Sequence, residues 1–132
     1  MEIVGGFDPI FVHYAEDNDY ANRVLYCKLS IGVCPHACIV HDHQTIENPF
    51  IANGRGLKKN DQLLALELTD PNTDRSLGNY EFYLCRKCFK SLCSGNVKMF
   101  KRYYSDLSFV VSNKHRLKES IRMKRDSRMP WL

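Results

Sequence analysis

The stretch "QLLALELTDPNTDRSLGNYEFYLCRKC", residues 62–88, decides the architecture. Residues 62–70 and 78–85 are strand-like runs separated by a polar segment rich in turn residues, the pattern of two elements joined by a reversal. Leu63, Leu64, Ala65 and Leu66 have the propensity of a helix as much as of a strand. The second run tips the reading toward strands, because Tyr80 to Leu84 is aromatic and alternating and a β-hairpin supplies the first run with a partner. Cys85-Arg86-Lys87-Cys88 then marks a strand end and a helix start. Phe89, Leu92 and Cys93 fall at i, i+3 and i+4, and Ser94-Gly95 closes that short helix.

Working outward toward the N-terminus, "EIVGG" and "PIFVHY" read as a turn and a short strand, and "AEDND" as an acidic loop. "RVLYCKLSI", residues 23–31, alternates Val24, Tyr26 and Lys28 with Leu25, Cys27 and Leu29, which predicts another strand. "ENPFIANGRG" is irregular. Toward the C-terminus, "NVKMFKRYYSDL" places Val97, Phe100, Tyr103 or Tyr104, and Leu107 on one helical face, with Lys98, Lys101 and Arg102 away from it. "SFVV" is a short strand or linker. "SNKHRLKESIRMKRDSRM" is a helix capped by Ser112 or Asn113 that buries Leu117, Ile121 and either Met123 or Met129. The expected fold class is α+β: an ordered core over residues 1–95, with its metal-binding part at 27–95, followed by a basic helical segment over 96–132.

The 132 residues suit one domain, and a chain of this length buries enough surface to fold without a metal. The start carries no basic leader, and no run approaches the eighteen apolar residues of a membrane span. The expected location is therefore nuclear or cytoplasmic rather than secreted, where six cysteines favour metal ligation over three disulfides. Cys85 and Cys88 have the two-residue spacing of a zinc half-site, and Cys34 and Cys38, with three residues between them, supply the other half. His41 competes for one ligand position, since it follows Cys38 by the same two-residue gap. Cys27 and Cys93 are left for core packing.

The order of a cysteine turn "CPHAC", a long hairpin and "CRKC" opening a helix resembles the treble-clef zinc-finger superfamily over about residues 27–95. That resemblance implies a small zinc-stabilised fold holding Zn2+, and it implies no activity. "HDH" at 41–43 between the cysteine pairs looks like the HNH nucleases within that superfamily, which would make His43 a general base and Asn53 or Asn60 its orienting partner. Phe89 stands where that pattern has a ligand histidine, so the likeness lacks a way to activate water and the chain is expected not to be an enzyme. Small, basic, cysteine-rich chains also look like the accessory regulators that many viruses encode.

Charge is concentrated at one end. Residues 1–97 hold nine Lys/Arg against twelve Asp/Glu, whereas residues 98–132 hold ten against three. Lys98, Lys101, Arg102, Lys114, Arg116, Lys118, Arg122, Lys124, Arg125 and Arg128 are candidate phosphate contacts, with Tyr103-Tyr104 placed to stack on bases. No recognition helix with residues aimed at base edges is visible, so binding to RNA or DNA is expected to be largely sequence-independent. The competing expectation is a protein-interaction module or self-association through Met129, Trp131 and Leu132, an apolar anchor behind the cationic helix.

Overall fold

The computed structural model describes residues 3–11, 14–38 and 58–126. Among them are α1 (Glu16–Tyr26), α2 (Lys59–Thr69), α3 (Leu77–Cys93), α4 (Val97–Ser112) and α5 (Lys114–Arg125), and no strand. The architecture is all-helical, which overturns the α+β expectation together with its long hairpin and N-terminal strands.

The hairpin runs became α2 and α3 because burial follows a helical period in both. In α3 the buried residues Leu77, Leu84, Cys88 and Ser91 lie at i, i+7, i+11 and i+14, one face of a helix. A strand would have put Phe82 beside Leu84 on the same face; Phe82 is 71 % exposed and Leu84 1 %. In α2 the buried set is Gln62, Ala65, Leu68 and Thr69, again at helical spacing, and the Leu-Ala-Leu-Glu composition has high helix propensity. The polar connector does contain a turn. Asp70 Oδ1 accepts the Asn72 backbone N–H at 2.9 Å, an Asx turn, and the Thr73 N–H reaches the Asp70 carbonyl at 3.2 Å.

The acidic loop expected at 15–19 and the start of the strand expected at 23–31 give way to α1, and residues 27–31 are turn and irregular backbone. Glu16, Asp17 and Asp19 occupy its first turn, where negative charge complements the helix dipole, and Arg23 occupies its last. "SFVV" continues α4 rather than forming a strand, and it brings Phe109 and Val110 into the core.

The end of α3 follows the sequence reading. Gly95 adopts φ 66°, the left-handed conformation, while its N–H bonds to the Leu92 carbonyl and that of Asn96 to the Ser91 carbonyl. Asn96 then caps α4, its side chain accepting from the Met99 N–H at 3.1 Å. The three-residue turn makes α3 and α4 an antiparallel hairpin, closed at its far end by Lys114 Nζ on Glu81 Oε2 at 2.7 Å. Asn113 sits between α4 and α5, but its side chain donates to the Phe109 carbonyl instead of capping α5.

The core gathers Ile10 and Phe11 from the N-terminal segment, Ala65 and Leu68 from α2, Leu77 and Leu84 from α3, Phe109 and Val110 from α4, and Leu117 from α5. Ile121 packs against this cluster. The C-terminal helices therefore contribute to the same core as residues 1–95.

Beside the apolar cluster lies a buried set of charges. Lys124 Nζ has no exposed surface and meets Asp8 Oδ2 at 3.1 Å, Asp19 Oδ1 at 2.5 Å and Thr69 Oγ1 at 2.6 Å. Arg23 Nε pairs with Asp19 Oδ2 at 3.0 Å, and its Nη1 donates to the Val4 carbonyl at 2.7 Å. Asp8 also accepts from Ser120 Oγ at 2.6 Å and from the Ile10 N–H at 3.0 Å. Two carboxylates and two cations balance, so the cluster is buried without net charge. Its members come from the N-terminal segment, α1, α2 and α5, and it fastens the first described residues to the last helix. Burial pushes the Asp19 carboxyl above its ordinary 3.8 even though Lys124 and Arg23 both pull it down.

Candidate nucleic-acid interface

On α5, Lys114, Lys118, Arg122 and Arg125 recur at i, i+4, i+8 and i+11, within an arc of about 80° at 100° per residue. The opposite face carries the buried Leu117, Ser120 and Lys124. The core that claims one side of the helix thereby selects which cations face water. Lys124 is the exception among the expected phosphate contacts: its ammonium is enclosed by Asp8, Asp19 and Thr69 and is not presented to a ligand.

Of the exposed cations on this stripe, Lys118 makes no ion pair or hydrogen bond among the described residues. Arg122 is 3.9 Å from Glu119, and Arg125 Nη2 donates to the Thr73 carbonyl at 2.7 Å. Lys114, Lys118 and Arg125 line an open concavity of about 490 Å³ together with Arg75, Ser76 and Gly78. Arg75 pairs with Glu67, while Ser76 and Gly78 sit at the start of the 17-residue α3. The Ser76 side chain makes no capping bond there, so the positive end of the α3 dipole adds to four side-chain cations at the same place. Asp74 on the same wall offsets part of that charge.

Arg116 lies away from this stripe, exposed beside a separate cavity of about 400 Å³ lined by Asp8, Glu119, Ser120 and Met123. Lys98, Lys101 and Arg102 are exposed on α4, with Arg102 pulling against the raised pKa of Asp106, which burial sets. The tyrosines divide their roles. Tyr103 packs against the core, whereas Tyr104 is 59 % exposed and stacks on Phe100 at 5.8 Å between ring centroids, so the ring open to a ligand is Tyr104 and not Tyr103. Arg128, Met129, Trp131 and Leu132 lie outside the described residues, as do His41, His43 and Asn53. Asn60 is exposed on the first turn of α2.

The four expected zinc ligands are not brought together. Cys85 and Cys88 occupy successive turns in the middle of α3, the first exposed and the second buried, and Cys34 and Cys38 lie in an exposed irregular segment. Among the described residues no three His, Cys, Asp or Glu side chains form a metal-ligand group. Burial and the neighbouring Cys85 push the Cys88 pKa up. All six cysteines are free. Cys27 is partly buried with its thiol 3.8 Å from the Ile3 carbonyl, whereas Cys93 is exposed rather than packed in the core.

One surface was not anticipated from the sequence: Phe82, Phe89 and Leu92 on α3 and Val97 on α4 are each more than 60 % exposed. Their signal was present in the alternating gaps of three and four residues along α3, but that period becomes readable only once residues 77–93 are known to be helical. Comparisons with protein-family models, with curated proteins and with solved structures find no match for this chain.

Proposed function

We propose that this helical protein binds nucleic acid through the phosphate backbone, using the cationic stripe of α5 and the exposed cations of α4. The observation that supports the reading is the concavity where Lys114, Lys118, Arg125 and Arg75 converge at the start of α3. A phosphate seated there would meet several cations on rigid helices and displace counterions from the strand, which supplies affinity without reading sequence. Tyr104, beside Lys101 and one helix face from Arg102, offers a ring on which an unpaired base can stack.

The test leaves the core untouched. Lys118→Glu and Arg122→Glu alter exposed positions, so the far-ultraviolet circular dichroism should match that of the unaltered chain. In shift or fluorescence-anisotropy assays with duplex and single-stranded oligonucleotides, the slope of log affinity against log salt should fall by about two for the double variant on duplex DNA, roughly 0.9 per lost phosphate contact. Equal affinity and equal salt slope for both proteins would refute this reading.

A further inference from the structure

We propose that the open side of the α3–α4 hairpin is a dimer interface between two copies of this chain. The inference uses none of the cations assigned to phosphate binding and shares with that reading only Tyr104, whose ring a dimer would cover. Phe82, Cys85, Phe89 and Leu92 follow one another at gaps of three, four and three residues, the spacing of a helix–helix seam. At about 100° per residue they share an arc of about 80°, turned about 110° from the face that buries Leu77, Leu84 and Cys88. All four seam positions are exposed and uncharged, and the helix's own Arg86, Lys87 and Lys90 fall elsewhere on the wheel.

α4 repeats the arrangement. Val97, Phe100, Tyr104 and Val111 share an arc of about 60°, turned by about 105° in the same rotational sense from the face that packs Tyr103, Leu107, Phe109 and Val110 on the core. The two helices are antiparallel, so equal turns in the same sense bring both stripes to one side of the hairpin. The other side is taken by α2: Tyr80 of α3 and Arg102 of α4 line a shared concavity with Leu63, Leu64 and Glu67. No helix among the described residues covers the two stripes, and Phe82, Phe89, Leu92, Val97 and Tyr104 keep 71, 70, 63, 62 and 59 % of their surface.

Two observations name a second copy as the occupant. First, the seam is its own complement. Phe82 and Leu92 are equidistant from Lys87, and so are Cys85 and Phe89. A two-fold axis crossing α3 near Lys87 therefore lays the helices antiparallel and sets Phe82 against Leu92 of the second copy and Cys85 against its Phe89, an isologous contact. Second, the area is of the right size. Taking about 200 Å² for a whole aromatic side chain and somewhat less for an aliphatic one, the exposed parts of these residues amount to roughly 600–800 Å² per copy, close to the 800 Å² per partner of a standard stable interface. A single apolar patch of that extent is uncommon on a monomer.

The experiment is sedimentation equilibrium of the full chain under reducing conditions, over about 1–100 μM. The expected mass is twice the 15.4 kDa of one chain. Phe89→Glu should weaken the dimer by at least about 30-fold, the loss of one interface hot spot, and yield 15.4 kDa species in the same range. Phe89→Ala, which inserts no charge, carries the same test if the glutamate lowers helicity. Val33→Glu, at an exposed position away from the hairpin, should leave the dimer intact. A 15.4 kDa mass for the unaltered chain throughout, or an unchanged dimer in Phe89→Glu and Phe89→Ala, overturns the proposal. So does a monomer that floats with neutral phospholipid vesicles, which gives the face to lipid, or one whose single tryptophan, Trp131, shifts its emission on Phe89→Glu, which gives it to the chain's own C-terminus.

Discussion

Replacing Lys124 with methionine should be among the most damaging single changes to this fold, although its position in a basic run of sequence suggests a dispensable surface charge. Methionine keeps the length of the side chain and its contact with the Phe11 ring, over which the ammonium now sits at 5.0 Å. It removes the cation that touches both Asp8 and Asp19, and with it the hydrogen bond to the Thr69 hydroxyl. Asp19 would then keep its pair with Arg23, while Asp8 would keep the Ser120 hydroxyl and the Ile10 N–H but lose the ammonium beside it. Breaking a buried pair in this way costs about 3–5 kcal/mol, against a total stability of about 5–15 kcal/mol for a domain. In urea, with a slope of about 1–3 kcal/mol/M, the unfolding midpoint followed by circular dichroism should fall by roughly 2 M. Exposed Lys118→Met should move stability by less than about 0.5 kcal/mol.

The deficit should also depend on pH in a defined direction. Asp19 already holds its proton more tightly in the folded protein than the ordinary 3.8, because burial outweighs its cations. The stability linked to this group is thus complete below about 3.8 and is lost as pH rises through the folded value. Without Lys124, which pulls that value down, the folded pKa climbs further, so the variant gains more from acidification than the unaltered chain. The gap between the two proteins should narrow from pH 7.5 to pH 4.5. A midpoint shift under about 0.5 M at neutral pH, or a gap that is constant or grows on acidification, would refute the buried-cluster account.

The cysteines provide two further tests. Iodoacetamide should label Cys85 well before Cys88, as read by peptide mass mapping, because Cys88 is buried and its pKa is raised; comparable rates would mean that α3 does not pack as described. EDTA tests the four-cysteine site directly: a fall of ten degrees or so in the melting temperature would establish a bound metal there, and an unchanged helical signal and melting temperature would exclude one.

What the sequence determined by itself were the features set by short-range chemistry. The helices at 97–107 and around Leu117 and Ile121, the stop at Gly95 and the crowding of positive charge into the last quarter all depend on neighbours within a turn or two. The acidic first turn of α1 belonged to the same class, and its meaning was masked by the alternating residues that follow it. Residues 62–88 could not be settled locally, because Tyr80, Phe82 and Leu84 satisfy a two-residue period over their short run while Leu77, Leu84, Cys88 and Ser91 satisfy a helical one over a longer span. Packing against α4 and the core chose the longer pattern, and with it went the hairpin. Lys124 makes the same point for charge. Whether an ammonium faces water or is enclosed depends on counter-charges that reach it, and here they arrive from Asp8 and Asp19, more than a hundred residues earlier in the chain. Only the folded arrangement puts them in place.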